Sequence, residues 1–124
     1  MMGDDRGNLI SLEANMNIPF DFKRIYYIFE NKIGTERGFH AHKNLSQVAI
    51  CLHGSCTFVL DNGSEKETFV LNHKKQGLLI ESMTWREMKD FSQDAVLMVV
   101  ASEFYDENDY IRDYDEFLRL VSTK

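Results

Sequence analysis

Apolar residues in this chain come in short bursts, and most bursts alternate with polar residues in the period-two pattern of β-strands. Leu9-Ile10-Ser11-Leu12-Glu13 is the first such segment, and a loop holding the only proline, Pro19, leads to Lys23-Arg24-Ile25-Tyr26-Tyr27-Ile28-Phe29. Gln47-Val48-Ala49-Ile50-Cys51-Leu52 and Cys56-Thr57-Phe58-Val59-Leu60 are more continuously apolar, and we expect them to pair as a hairpin across His53-Gly54-Ser55. Asp61-Asn62-Gly63 predicts a second, tight hairpin, because Asn-Gly accepts the positive φ such turns need. Lys66 to Leu71 follows with Phe69 and Leu71 on one face, and Gly77-Leu78-Leu79-Ile80, Met83 to Phe91 and Ala95 to Val100 complete the series. About eight short strands at regular spacing predict an all-β antiparallel sandwich or barrel.

The C-terminal segment changes period. Ile111, Tyr114, Leu118 and Val121 recur at helical spacing with Phe117 beside them, which predicts one amphipathic helix, capped near Asn108 or Asp109, on the outside of the β structure. No repeat, linker or low-complexity stretch interrupts the pattern, so residues 1–124 read as a single domain. The net charge of −6 argues against a nucleic-acid surface, although it leaves room for a local basic pocket. Cys51 and Cys56 lie in apolar stretches without metal-type spacing and read as reduced core residues. The N-terminus lacks the apolar core of a signal peptide and no stretch reaches membrane-spanning length, so we expect a cytoplasmic protein.

Candidate chemistry concentrates in Arg37-Gly38-Phe39-His40-Ala41-His42-Lys43. On a strand the two histidines point to the same side, with Arg37 and Lys43 near them. Neutral imidazoles can move protons or hold a metal, and the flanking cations suit an anionic ligand. Gly38 before H-x-H, Gln47 five residues after His42 and Gly54 seven further on resemble the first signature of the cupin superfamily, which are jelly-roll β-barrels. Metal-binding cupins usually carry Glu at the position of Gln47 and a further His in a second signature. Here Gly77 to Arg86 holds no histidine, and two imidazoles with a neutral amide make a poor site for a divalent ion. We therefore expect no metal and no other cofactor.

A narrower resemblance runs from about Asp5 to Leu118. Arg24 to Phe29, Arg37 to Lys43, His53-Gly54-Ser55-Cys56, Thr84-Trp85-Arg86-Glu87-Met88, Ala101-Ser102 and Tyr105 to Tyr114 are similar to the sugar 3,4-ketoisomerase family, which acts on dTDP-4-keto-6-deoxyglucose. The resemblance implies a metal-free homodimer, often with N-terminal strands exchanged, working in deoxysugar biosynthesis. It also implies that His40, the first histidine of the pair, is the base that takes the proton from C3. His42 would be the second acid or base, or would hydrogen-bond the sugar.

Arg37, Lys43 and Arg24 are cations suited to a diphosphate or an enediolate oxygen. Gln47 could hydrogen-bond sugar or thymine. Tyr27 could turn its hydroxyl inward with Tyr26 facing away, the alternation leaving the inner face of that strand open. Trp85 reads equally as a stacking surface for thymine or as core, and Tyr105, Asp106 and Tyr110 as packing and capping residues. Relatives usually have a strand before the turn at Arg6-Gly7, close to which this chain begins. Arg6 resembles the galacto-forming members and Arg86 the gluco-forming ones, so the two cues point to opposite configurations at C4. The competing functions are a 3,5-epimerase on the same substrate and a noncatalytic nucleotide-sugar-binding cupin.

Overall fold

The computed structural model describes residues 2–4 and 7–122. Two antiparallel sheets face each other in a jelly-roll of the cupin type. One has four strands in the order β3 (Arg24–Ile28), β10 (Val96–Ala101), β5 (Gln47–His53), β8 (Leu78–Ile80). The other has five in the order β11 (Tyr110–Ile111), β4 (Arg37–His42), β9 (Trp85–Lys89), β6 (Cys56–Asp61), β7 (Lys66–Leu71). A short hairpin of β1 (Met2–Asp4) and β2 (Gly7–Leu9) stands apart from both, so a strand does precede the turn at residue 7. It lies ahead of the segment expected as the first strand, because residues beyond Leu9 run as a loop.

Both sheets send alternate side chains into the space between them. Ala49, Cys51, Ile80, Leu97 and Val99 come from one, and Cys56, Phe58, Leu71 and Met88 from the other, with Phe58 1 % and Leu97 0 % exposed. The β6–β7 hairpin forms at Asn62-Gly63 as expected, with Asp61 opposite Lys66. The hairpin expected of β5 and β6 does not form. Each strand pairs within its own sheet, and His53-Gly54-Ser55 carries the chain from one sheet to the other. Gly54 has φ +72°, and a Cβ there would stand 2.3 Å from Ser92 Oγ, so the crossing needs glycine. Cys51 and Cys56, at its two ends, are buried free thiols.

The helix α1 covers Tyr114–Ser122, later than the periodicity implied. Ile111 instead belongs to β11, paired with Ala41. Asp113 caps the helix: its carboxylate accepts from the Asp115 amide at 3.2 Å and its carbonyl from Phe117 at 3.0 Å. Phe117 then seats against Trp85, Ala41 and Ile111 on the outer face of the five-stranded sheet. Covering that face leaves the opposite, inward face of β4 and β9 for chemistry.

Candidate active site

Ala41 and Trp85 lie in the outer cluster under α1, so strand alternation turns His40, His42 and Arg86 into the interior. A bulge sets their register. Gly38 pairs with Glu87 and His40 with Arg86, leaving Phe39 unpaired at φ +57°. Gly38 has φ +89°, and a Cβ on it would meet the Arg86 carbonyl oxygen at 2.8 Å. The glycine ahead of the histidines thus lets β4 lie close against β9 and places His40 beside Arg86.

Each imidazole is anchored through Nδ1. His40 Nδ1 lies 3.0 Å from the Gly38 carbonyl oxygen, which can only accept, so Nδ1 carries the hydrogen and Nε2 is left basic. His42 Nδ1 donates to Asp109 Oδ2 at 3.2 Å, and its buried Nε2 has no hydrogen-bond partner among the described residues. Asp109 is itself held by the amides of Asn44 (2.8 Å) and Leu45 (3.2 Å). The rings meet edge to face with centroids 4.8 Å apart, and Tyr110 packs on both at 4.9 and 4.4 Å. Burial, and then the Arg86 guanidinium, push the His40 pKa down to about 4. The same two causes push His42 well below the usual imidazole range. Both rings are therefore neutral at pH 7.

Arg86 is the fixed charge of this cluster. It is 1 % exposed, and its Nη1 donates to Gln47 Oε1 at 2.5 Å and its Nη2 to the Thr84 carbonyl at 3.0 Å. Gln47 in turn donates from Nε2 to the Tyr26 hydroxyl oxygen at 3.2 Å. Arg24 lies over the Tyr26 ring at 5.1 Å and the Tyr105 ring at 5.7 Å, and its buried Nε has no hydrogen-bond partner among the described residues. Arg112 covers Tyr110 at 4.2 Å while paired to Glu107 at 3.0 Å. The two histidines are the possible metal ligands here, and a guanidinium beside them repels a divalent ion. No group of three or more His, Cys, Asp or Glu able to hold a metal occurs among the described residues.

The structure therefore gathers His40, His42, Arg86, Gln47 and Arg24 at one polar end of the interior. It moves Tyr27 out. Tyr26 packs with Ile28 against the core, whereas Tyr27 is 64 % exposed on the outer face of the four-stranded sheet, where it stacks on Phe29. The reason is register: Tyr26 pairs with Val99 of the core and Tyr27 with outward-facing Met98. Trp85 is core, 5 % exposed between Tyr114 and Phe117, and offers no stacking face to a base. Arg37 and Lys43 stand exposed at the two ends of β4, and Arg6 lies outside the described residues. Sequence reading missed Tyr26, which its shared parity with Ile28 could have signalled, and Tyr110 and Asp109. Nothing local marks those two, since they reach the histidines through the β11–β4 pairing.

The arrangement of two neutral bases, a buried cation and phenolic hydroxyls suits proton transfer next to a carbonyl. Comparison with known proteins agrees. The family described as "FdtA: WxcM-like, C-terminal" matches residues 1–122. The chain is 50 % identical over 119 residues, 96 % of its own length and 86 % of the other, to a TDP-4-oxo-6-deoxy-α-D-glucose-3,4-oxoisomerase of Aneurinibacillus thermoaerophilus. It resembles the crystal structure of a 3,4-ketoisomerase from Helicobacter canadensis with TM-score 0.93 and 53 % identity, over 97 % of this chain and 90 % of that one. It also resembles a His-to-Asn variant of the 3,4-ketoisomerase QdtA from Thermoanaerobacterium thermosaccharolyticum, bound to TDP-4-keto-6-deoxyglucose. That match has TM-score 0.95 and 43 % identity and covers 99 % of this chain and 89 % of that one.

Proposed function

The chain belongs to the FdtA, WxcM-like family of TDP-sugar 3,4-ketoisomerases, and we propose that it moves the keto group of TDP-4-keto-6-deoxyglucose from C4 to C3 by proton transfers between its own side chains and the sugar. The observation that carries the reading is the pair of neutral imidazoles, each tied down at Nδ1, standing over a buried arginine. Such bases are ready to accept a proton without first losing one.

In the first step Nε2 of His40 takes the proton from C3. The electron pair of that C–H bond forms the C3–C4 double bond, and the C4 carbonyl oxygen becomes an enediolate oxygen. Arg86 and the Tyr26 hydroxyl offer positive charge and hydrogen bonding to that oxygen in a site shielded from water. In the second step His40 returns a proton, exchanged with solvent, to C4, the hydroxyl at C3 loses its hydrogen as the C3 carbonyl forms, and the C4 oxygen ends as a hydroxyl. His42, whose buried Nε2 has no hydrogen-bond partner among the described residues, accepts the hydroxyl hydrogen and passes it to the C4 oxygen, so both imidazoles end neutral. Atoms and electrons balance without an external oxidant or reductant. Arg24, Arg37 and Lys43 are the cations proposed for the diphosphate, and Arg6 is proposed to bear on the configuration at C4.

We assign the working form as a homodimer. Ile25, Tyr27, Phe29, Leu52 and Leu79 are exposed on the outer face of the four-stranded sheet, around Val48, Ile50 and Val100. A second copy laid on that face would cover them, and Leu52→Lys should yield monomers in light scattering. Free buried thiols and a nucleotide-linked substrate favour the cytoplasm. No helix among the described residues is long and apolar enough to cross a membrane. The test of function is incubation with dTDP-4-keto-6-deoxyglucose followed by NMR. A 3-keto product labelled at C4 in D2O is expected. Unchanged substrate, with chelator and with divalent ions restored, refutes the assignment.

A further inference from the structure

Gln47 was expected to touch the substrate. Its position argues otherwise, because it is 3 % exposed and both ends of its amide are occupied inside the protein. We propose that Gln47 is a positioning residue that fixes the polarity of the Tyr26 hydroxyl, leaving the phenolic hydrogen free to be donated to the sugar oxygens at C3 and C4.

The relay starts at Arg86. A guanidinium has five N–H donors and no acceptor, so the group facing Nη1 at 2.5 Å must be the amide oxygen of Gln47. The amide nitrogen then has to face Tyr26, where it donates to the hydroxyl oxygen at 3.2 Å. A hydroxyl that receives a hydrogen at its oxygen directs its own hydrogen elsewhere. Among the described residues the Tyr26 hydroxyl makes no second hydrogen bond. Arg86 cannot turn round to relax this order, because Nη2 is held by the Thr84 carbonyl at 3.0 Å and the side chain is enclosed. The relay runs in one direction, from fixed cation through amide to phenol. Glutamate at this position would reverse its last step. A carboxylate next to Arg86 would accept from Tyr26, turning the phenolic hydrogen away from the sugar. Glutamine is thus the residue that links this arginine to this tyrosine with the donor outward.

The inference rests on the proposed ketoisomerase activity and is tested with it. Gln47→Glu keeps size and hydrogen bonding and adds an ion pair to Arg86, whereas Gln47→Met keeps size and removes both bonds. The expected result is that Gln47→Met lowers kcat about 10-fold and Gln47→Glu about 100-fold, with KM within about threefold of wild type, and with Gln47→Glu melting no lower than Gln47→Met. All assays contain EDTA, since glutamate beside H-x-H adds a metal ligand. A merely structural role predicts the opposite order of activity, because glutamate preserves the packing and the bonds. Gln47→Glu turning over as fast as Gln47→Met overturns the proposal. In the Tyr26→Phe background the Gln47→Met exchange should cost less than about threefold, and a full 10-fold loss there also overturns it, whether or not Gln47→Glu folds. A wild type that makes no 3-keto sugar removes the activity itself and this inference with it. A wild type that turns over while the variants fall in the wrong order defeats this inference alone.

Discussion

The depressed basicity of His40 makes a quantitative prediction for activity against pH. Burial and the neighbouring Arg86 hold its pKa at about 4, against 6.5 for an unperturbed imidazole. At pH 5 an imidazole of pKa 4 is roughly 90 % neutral and one of pKa 6.5 roughly 3 % neutral, a difference of about 30-fold in available base. The profile of kcat/KM, which reports the free enzyme, should therefore stay flat from pH 8 down to about 5 and fall only near pH 4. The fold sets a competing limit of known sign. Both imidazoles ionise less readily folded than unfolded, so the unfolded chain binds more protons below about pH 6.5 and stability declines as the pH drops from there towards 4. Circular dichroism at each pH separates loss of base from loss of fold. Arg86→Gln should move the acid limb upward, because the second cause of the depression is gone. An acid limb centred near pH 6.5 in a folded wild-type protein would refute the assignment of His40 as a base that is neutral because it is buried.

Three further outcomes follow from the same geometry. His40→Asn should lower kcat by about 10²–10⁴-fold while leaving dTDP affinity, measured by calorimetry, within about threefold. Asp109→Ala leaves the donors of His42 and Leu45 buried without acceptors and should cost about 2–6 kcal/mol in urea denaturation, at about 1–3 kcal/mol for each. A cost below about 1 kcal/mol would show that the carboxylate does not anchor the ring. Gly38→Ala brings a Cβ to 2.8 Å from the Arg86 carbonyl at a φ of +89° and should lower both melting temperature and kcat by disturbing the bulge. A variant with wild-type values would remove the bulge from the account of how His40 is aimed.

Much of the β architecture was legible in the chain because it depends on local rules. Alternation placed nearly every strand, Asn62-Gly63 made the hairpin it announced, and two histidines a residue apart had to share a face. Ile111 was misplaced because a two-residue strand has no period of its own. Its side chain obeys the pairing of β11 with β4 rather than the helix that follows.

What only tertiary structure decided is which face of each strand is inside and which distant groups meet there. Tyr26 and Tyr27 are adjacent and chemically identical, and the register of β3 against β10 alone sends one to the site and the other to the surface. The β5–β6 connection reads as a hairpin turn, yet crosses between sheets, because each strand finds its partners far along the chain. His40 and His42 are recognisable as bases from their spacing, but their neutrality is not. That property comes first from burial and then from Arg86, which lies 46 positions from His40 and is brought close by strand pairing, while Asp109, 67 positions from His42, fixes the orientation of that ring.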